Sequence, residues 1–363
     1  MPRRSTLPLA ALLAATALAC SESHRVDASP ADALVPIGTV DVSYGFPRRL
    51  VPTSDGFLVV TGREIPDGVV PMVAWDIGVD ASAASHELSR SCRDEWSLHP
   101  TPALRLACHE QSTEGHAISY APLSRLGEVG EAAGPIDVSG RVDLALLDGD
   151  TAWIVDRWPG DPTTSLVVTG HDLDSGRPRT AAEHDYDWML QRPVLRPGTL
   201  GPWLATVVSE PGRGPVLTIR RLGAPSIQRW PTCVAHPQRD GLAVMERSAD
   251  EVVIVELCDG TAIVSTIDVG SGAARSAVLE GAASSAAWGP PALALANGRI
   301  VVAHGTEVAH DTRIRVLDDE LAVRSQAVVP GVLGGLAGNG RTVAVLAGTS
   351  PPRVTLLREP DRL

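Results

Sequence analysis

The chain has 363 residues, of which 44% are hydrophobic and 20% charged, with 34 Gly, 29 Pro and 5 Cys. This is the composition of a folded protein, and it excludes the collagenous, intrinsically disordered and disulfide-dense classes. The net charge is −12 and all 31 basic residues are Arg, so the sequence offers no basic stripe for nucleic acid and little attraction for anionic lipid.

The N-terminal segment has the three parts of an export signal. Arg3 and Arg4 precede a mostly apolar stretch over residues 7–19, which ends in small residues at a cleavage site. This stretch has only thirteen residues, too few to span a bilayer, and no later stretch reaches eighteen consecutive apolar residues. We therefore predict that residues 1–19 are a signal peptide and that the chain is exported.

The end of this segment fits two kinds of cleavage. Residues 17–19 match the A-x-A site of ordinary signal peptidase; with Cys20 they also resemble the lipobox of bacterial lipoproteins, which usually has Leu at the position of Ala17. The resemblance implies a diacylglyceryl lipid on Cys20, and Ser21 instead of Asp implies retention at the outer membrane. We favour the lipoprotein interpretation, with residues 20–36 as a lipidated tether and the lipid as the sole membrane contact. Which side of the outer membrane the body faces stays open.

The body from residue 37 consists of short β-rich runs separated by Gly, Asp, Asn and Pro, without an amphipathic helix of twelve residues. Turn residues such as Asn297-Gly298 and Asn339-Gly340 accept the positive φ of a tight hairpin. Each apolar run that follows such a turn is therefore predicted to be the second strand of a hairpin. Seven similar runs recur 42 to 52 residues apart, beginning at Phe57, Leu104, Thr151, Trp203, Val252, Ile300 and Thr342.

Strands can also be placed before and after each run, which gives four strands per repeat. The period, the four-stranded unit and the all-β content resemble those of β-propellers, in which four-stranded sheets stand radially around a channel. The resemblance implies an all-β, seven-bladed β-propeller over residues 37–363. The last repeat has one clear strand after its run, so the unassigned strand at residues 37–42 is predicted to close the ring. A pair of β-sandwiches or a solenoid would not explain the recurrence or the lack of polar end caps.

Four cysteines remain once Cys20 is set aside, and an exported chain is expected to pair them. Of the three possible pairings, the repeat favours Cys92 with Cys108 and Cys233 with Cys258. In both pairs one cysteine follows the outer strand of a blade and the other ends the second strand of the next blade. Each bridge is expected to contribute about 3 kcal/mol in the chain-entropy model.

A propeller has two faces. We call the one that carries the tight hairpins the hairpin face, and the one that carries the links between strands two and three and between blades the link face. Aromatic side chains and histidines are predicted to favour the link face, leaving the hairpin face without Trp or His. Aromatic residues in exposed loops favour recognition, although each Trp alone is also explained by packing within its blade. The residues assigned to the link face are Trp96, Trp158, Trp188, Trp288, Tyr44, Tyr186, His99, His109, His236 and His310.

The densest group of such residues is predicted at blades three and four, and we expect a protein or a glycan to bind there. Asp185 and Asp187 could serve as acid and base on a sugar. Their closeness in one loop does not establish the separation of about 5 to 9.5 Å that glycosidases need. We call this group the predicted patch; its members are Asp156, Arg157, Trp158, Asp161, Asp185, Tyr186, Asp187, Trp188, Glu210 and Arg213.

Strong local motifs of catalysis are missing: the sequence has no G-x-S-x-G, H-E-x-x-H, Walker loop or strand-following G-x-G-x-x-G. A zinc site at Cys108, His109 and His99 lacks paired ligand spacing. Residues 171–176 and 268–272 faintly resemble a calcium loop or the turn of quinoprotein-type propeller repeats, but a plain hairpin needs the same Asp and Gly. We therefore predict no metal and no cofactor.

The sequence favours a non-catalytic, monomeric cell-envelope lipoprotein that displays a propeller surface to a protein or glycan and does not bind nucleic acid. There are two alternatives. An extracytoplasmic carbohydrate-active hydrolase or lyase would use acids and histidines of the link face that converge on the channel. A structural assembly component would hold no ligand pocket and would bury roughly 1,200 Å² or more of a flat face against a partner.

Overall fold

The structure is a computed structural model that describes most of the chain beyond the N-terminal segment. Every regular element in the described ranges is a β-strand. Among these residues no helix combines the length and the apolar character that crossing a membrane would require. The described ranges are residues 32–42, 46–62, 71–90, 92, 95–99, 104–112, 115–138, 141–157, 165–185, 193–224, 227–235, 240–282, 290–306, 310–348 and 351–360.

Two strands precede the first blade: β1 (Asp32–Ala33) and β2 (Val35–Asp41). The next sixteen strands build four blades of four strands each. Blade one contains β3 (Phe46–Pro52), β4 (Gly56–Gly62), β5 (Met72–Gly78) and β6 (Ala83–Glu87). Blade two contains β7 (Glu95–His99), β8 (Arg105–Ser112), β9 (Gly115–Pro122) and β10 (Ala133–Val138). Blade three contains β11 (Arg141–Asp148), β12 (Thr151–Arg157), β13 (Ser165–Asp172) and β14 (Pro178–Asp185). Blade four contains β15 (Val194–Arg196), β16 (Trp203–Glu210), β17 (Gly214–Arg221) and β18 (Ile227–Pro231).

The remaining strands build three more blades. Blade five contains β19 (Gly241–Ser248), β20 (Glu251–Cys258), β21 (Thr261–Asp268) and β22 (Ala274–Leu279). Blade six contains β23 (Ala292–Ala296), β24 (Arg299–Gly305), β25 (Thr312–Leu317) and β26 (Val323–Val329). Blade seven takes three strands from this end of the chain: β27 (Val332–Asn339), β28 (Thr342–Gly348) and β29 (Arg353–Arg358).

The N-terminal strand closes the ring. β2 pairs antiparallel with β29 as the fourth strand of blade seven, with Val40 opposite Val354. β1 adds a parallel fifth strand to β26 of blade six. The prediction of an all-β, seven-bladed propeller closed by its N-terminal strand is confirmed, and the strands begin at Asp32, five residues before the predicted start at residue 37.

All seven apolar runs found in the sequence are second strands of blades, as predicted: β4, β8, β12, β16, β20, β24 and β28. They are the most buried strands because each blade packs on a neighbour at both faces; every residue of β4 is buried. One apolar cluster combines Val59 of β4 with Leu346 of β28 and Val354 of β29. The core therefore continues across the seam between blade seven and blade one.

The hairpin turns follow the sequence signals. Asn297 and Gly298 adopt φ of 50° and 75°, the left-handed pair that a type I′ turn requires. The segment at residues 171–176 joins β13 to β14 as a hairpin, in which Asp172 Oδ1 accepts hydrogen bonds of 2.8 Å from the Ser175 amide and hydroxyl. These bonds and Arg179 lower the pKa of Asp172 to about 2. The Asp of the calcium-like pattern thus caps its own turn.

Both predicted disulfides are present. Cys92 pairs with Cys108 at a Cα separation of 5.2 Å, and Cys233 with Cys258 at 6.0 Å. The two pairs differ in one respect from the prediction: Cys258 ends its strand, whereas Cys108 lies inside β8, directly opposite Trp96. Each bridge joins the link before a blade to the second strand of that blade.

Candidate functional site

The strands of blades three and four bring parts of the predicted patch to one end of the ring. β12 ends at Arg157 and β14 ends at Asp185, and the intervening strand β13 pairs Leu166 with both Arg157 and His184. Since neighbouring strands lie about 4.8 Å apart, the two strand ends are separated by about 10 Å of backbone. β16 of blade four ends at Glu210 on the same face. Sequence reasoning therefore placed these strand ends on the correct face.

Half of the predicted patch cannot be placed. The backbones of Asp156, Arg157 and Asp185 lie in strands β12 and β14. Only Glu210 and Arg213 have described side chains, so the patch as a whole remains a prediction. The patch residues outside the described residues are Trp158, Asp161, Tyr186, Asp187 and Trp188, and the same holds for Tyr44, His236 and Trp288 among the aromatic and histidine residues assigned to the link face.

Glu210 forms two ion pairs in the described part of the predicted patch. Its carboxylate lies 3.0 Å from Arg229 and 3.5 Å from Arg213. Only 22% of the Glu210 side chain is exposed, whereas Arg213 is 80% exposed. The carboxylate is thus neutralised at the blade surface, and Arg213 presents its guanidinium to solvent.

A small cavity of about 170 Å³, which we call the notch, lies between blades three and four beside these residues. Its polar lining includes His184, Thr218, Arg220 and Arg229. Arg220 donates a hydrogen bond to His184 Nδ1. The Thr218 hydroxyl is buried, and no hydrogen bond joins it to the described residues. His184 precedes Asp185 in the chain and Arg229 holds Glu210, so the notch adjoins both described ends of the predicted patch.

Sequence reasoning missed the notch because its lining combines three strands of blade four with the outer strand of blade three. Arg220 and Arg229 lie on the two outer strands of blade four, and His184 lies on the outer strand of blade three. A cationic residue near the end of a strand is ordinarily a solvated edge residue. The available signal was one arginine on each of the neighbouring strands β17 and β18, where Arg220 lies opposite Ile227 and Arg229 opposite Thr218.

The prediction that the hairpin face has no Trp or His is wrong. Trp203 opens β16 directly after the hairpin of blade four, and its indole Nε1 donates to Glu246 Oε2 at 2.5 Å. Arg221 stacks on the Trp203 ring, 4.5 Å from the centroid. His171 also lies at this face, at the hairpin end of β13. Trp203 is only 1% exposed, so it packs at the boundary between blades four and five instead of binding a ligand in solvent.

The assignment of His99 to the link face is also wrong, whereas Trp96 and His109 lie toward the link ends of their strands and not in links. Trp96 lies inside β7, is 7% exposed and packs with the Cys92–Cys108 disulfide. His99 is buried at the hairpin end of β7, where its Nδ1 accepts a hydrogen bond from the Leu147 amide. His109 lies within β8 and lines the channel. These strands extend through residues that the sequence suggested were links; His310 does lie in a link, between β24 and β25.

The described residues contain no group of three His, Cys, Asp or Glu side chains arranged to hold a metal ion. Two carboxyl groups at glycosidase spacing would be needed for the hydrolase alternative. The pair that the sequence suggested includes Asp187, which lies outside the described residues.

Comparison with known proteins shows the fold but not a family. No protein-family model matches the chain, and no curated protein matches its sequence. Among solved structures, Kuenenia stuttgartiensis hydrazine synthase matches with a TM-score of 0.55 and 15% identity, over 88% of this chain and 97% of that one. The β-propeller domain of Cps50 (Swd1) from Myceliophteria thermophila matches with a TM-score of 0.53 and 13% identity, over 90% and 100%. The propeller domain of the Trilobed protease from Pyrococcus furiosus matches with a TM-score of 0.51 and 8% identity, over 88% and 94%.

At these identities the likeness concerns the propeller fold alone. The P. furiosus domain is described as having an open velcro topology, whereas this chain closes its last blade with β2. An enzyme, a protease domain and the Swd1 domain share the architecture, so the function has to be argued from the site.

Proposed function

We propose that this chain is an exported, lipid-anchored protein of the bacterial outer membrane, and that its propeller binds a protein or a glycan without catalysis through the predicted patch. The observation that carries the proposal is the notch of about 170 Å³, whose polar lining adjoins the strand ends at Asp185 and Glu210. A recess that carries hydrogen-bonding groups beside aromatic loops is typical of a recognition surface.

The lining of the notch favours a ligand rich in hydrogen-bond acceptors. Arg220 and Arg229 have donors only, and the Thr218 hydroxyl can donate or accept. Carboxylate side chains and sugar hydroxyls both supply the acceptors that these groups need. A water molecule in liquid occupies about 30 Å³, so the notch holds one side chain or one pendant group of a larger ligand. Trp158 and Trp188, which follow β12 and β14 in the sequence, are proposed to contact the rest.

The proposed localisation rests on the N-terminal signal segment and on the cysteines. The two disulfides are typical of a protein that folds in an oxidising, extracytoplasmic compartment. A lipid on Cys20 would be joined to β1 by residues 21–31. Such a segment spans at most about 40 Å when extended, which would keep the propeller near the membrane surface.

The binding proposal is tested with the mature chain carrying Cys20→Ser, applied to a glycan array and to a cross-linking pull-down from envelope extracts. Trp158→Ala and Trp188→Ala are expected to weaken capture of the identified ligand at least 10-fold and to leave the melting temperature within about 2 °C of the parent. Trp75→Ala, in blade one, is the matched control and should bind normally. An equal loss of folding and binding in the two patch variants would assign both Trp residues to packing.

The proposed localisation is tested separately by mass spectrometry of the protein purified from a bacterial envelope. We expect a mature chain that begins at Cys20 and carries a diacylglyceryl group, and a Cys20→Ser chain that carries none. Cleavage after Ala19 without any lipid would contradict the anchor while leaving the binding proposal standing.

A further inference from the structure

The seven inner strands surround a channel cavity of about 660 Å³. Pockets that hold small molecules usually measure about 300 to 1,000 Å³. Much of the wall is apolar, with Leu50, Leu146, Leu195, Met245 and Leu336 among its members. The axis of the ring is therefore an apolar cavity large enough for a small organic ligand.

Two arginines interrupt this apolar wall. Arg49 lies on β3 of blade one and Arg196 ends β15 of blade four. Arg49 Nη1 donates to the Leu98 carbonyl at 2.6 Å, and Arg196 Nη1 donates to the Leu195 carbonyl at 3.0 Å. Neither forms an ion pair with a carboxylate of the described residues. Both guanidinium groups keep further donors for a ligand in the channel.

The two guanidinium groups lie in the same half of the channel. Leu98, which accepts the bond from Arg49, is the penultimate residue of β7, and Arg196 is the last residue of β15. Both inner strands end at the hairpin face. We call this half of the cavity, with Arg49 and Arg196, the arginine site.

The electrostatics of the arginine site favour an anion. Loss of bulk water around Arg49, together with the nearby charge of Arg196, lowers the pKa of Arg49 to about 10. Arg196 is exposed, but to the confined water of the channel, and the surrounding protein lowers its pKa as well. An anionic group between the two would remove their mutual repulsion and replace missing solvation.

Glu246 lines the same cavity without neutralising these arginines. Its carboxylate accepts hydrogen bonds from Trp203 Nε1 at 2.5 Å and from the Thr199 amide at 2.8 Å, and it lies 3.9 Å from Arg221. Only 7% of its side chain is exposed. The charge of Glu246 is therefore directed into the boundary between blades four and five, where it already has a cation.

We infer that the arginine site binds a small organic anion, a carboxylate or a phosphate on an apolar body, with Arg49 and Arg196 holding the anionic group and the leucine-rich wall holding the apolar part. Guanidinium groups bind either oxyanion through two parallel hydrogen bonds. This site lies in the hairpin half of the channel, and its occupancy does not depend on the predicted patch.

The test is isothermal titration calorimetry on the mature full chain carrying Cys20→Ser, with octanoate, octyl phosphate and octanol as probes. The three probes share one apolar chain and differ in the head group. We expect at least one of the two anions to bind at least 10-fold more tightly than octanol, and the better anion identifies the head-group class. Equal binding of octanol and both anions, or no binding of any probe, would overturn the inference.

Arg196→Met is the informative variant because Arg196 bonds within its own strand, whereas Arg49 also connects blade one to blade two. Arg196→Met should weaken binding of the anion at least 10-fold. Arg275→Met, on the outer strand of blade five, should leave it unchanged. If Arg196→Met also lowers the melting temperature, Arg196→Lys, which keeps the charge, should restore at least part of the affinity. Unchanged affinity in a folded Arg196→Met chain would overturn the inference.

Discussion

The two faces of the ring join neighbouring blades by different chemistry. At the hairpin face, polar side chains of the described residues cross six of the seven boundaries between blades; at the link face, two disulfides fasten links to the following blade. The contacts at these six boundaries include Arg125 with Asp55 and Asp76, His99 with the Leu147 amide, Glu246 with Trp203, Arg247 with Asp319, Arg299 with Glu359, and Asn339 with the Thr53 and Gly56 carbonyls.

The two links that carry the bridges are long connections, residues 88–94 and 232–240, whereas some other links have only two or three residues. A covalent bridge holds such a link without requiring its sequence to supply matched polar pairs. The link face also has polar contacts, such as Arg315 with the Glu280 carbonyl between blades six and five.

Removal of the disulfides should have the largest effect and would test the link face. The double variants Cys92→Ala with Cys108→Ala, and Cys233→Ala with Cys258→Ala, should each lower the free energy of unfolding by about 3 kcal/mol in urea titrations. A reducing agent should lower the parent melting temperature and leave a chain without all four cysteines unaffected. A loss below about 1 kcal/mol for both pairs would mean that packing alone holds the links.

Glu246→Ala is the corresponding test of the hairpin face. The substitution leaves the buried Trp203 indole and the Thr199 amide without their acceptor, so the free energy of unfolding should fall by about 2 kcal/mol. Glu251→Ala, which removes a more exposed ion pair with Arg247, should cost less than about 1 kcal/mol. Equal effects of the two variants would mean that apolar contacts alone stabilise the boundary between blades four and five.

Mild acid should weaken both faces through two buried histidines, His99 at the hairpin end of blade two and His304 at the link end of blade six. Burial lowers the pKa of His99 to about 3 and that of His304 to about 4. His304 Nε2 accepts a hydrogen bond of 2.8 Å from Arg315, so a proton there would break that bond and add a second positive charge.

The sign of this effect follows from the lowered pKa values. Above about pH 6.5 both histidines are neutral in the folded and in the unfolded chain. Below this pH the histidines become protonated in the unfolded chain but stay neutral in the folded chain. Stability should fall by about 1 kcal/mol per pH unit for each histidine. Urea titrations between pH 7.5 and 5 should show a smaller loss for His304→Gln than for the parent. Equal slopes would mean that His304 is protonated in the folded chain.

The exposed ion pairs of the hairpin face should have the smallest effect. Asp319→Asn removes the partner of Arg247, but the Asp319 side chain is 70% exposed, so the free energy of unfolding should fall by less than about 1 kcal/mol. The difference between parent and variant should disappear in 1 M salt, because screening removes the attraction that the variant lacks. A larger, salt-independent loss would show that Asp319 has a structural role beyond its charge.

The repeat made most of the fold predictable. Each second strand is the most apolar part of its blade, so its recurrence is visible in the sequence. The one unassigned strand, at the N-terminus, could then be placed as the missing fourth strand of the last blade. The pairing of Cys233 with Cys258 followed from the same alignment of repeats. Local composition is sufficient to predict the strands and their order because every blade packs its four strands in the same way.

The contacts between blades were not predictable in this way. Trp203 and Glu246 are 43 residues apart, and nothing in the neighbourhood of either residue signals the other. His99 was assigned to the link face, yet it is buried at the hairpin end of β7. The arginine site likewise depends on which inner-strand side chains meet across the axis, a property of the closed ring and not of one repeat.

The pairing of β2 with β29 also sets the order in which the molecule can be completed. Val35 lies opposite Arg358, so the earliest strand of blade seven is made more than three hundred residues before its partner. Blades one to five are built from contiguous segments and need only nearby chain. During synthesis, β1 and β2 therefore remain without their partner strands, and the ring gains its final cooperativity only when the last strand has been made.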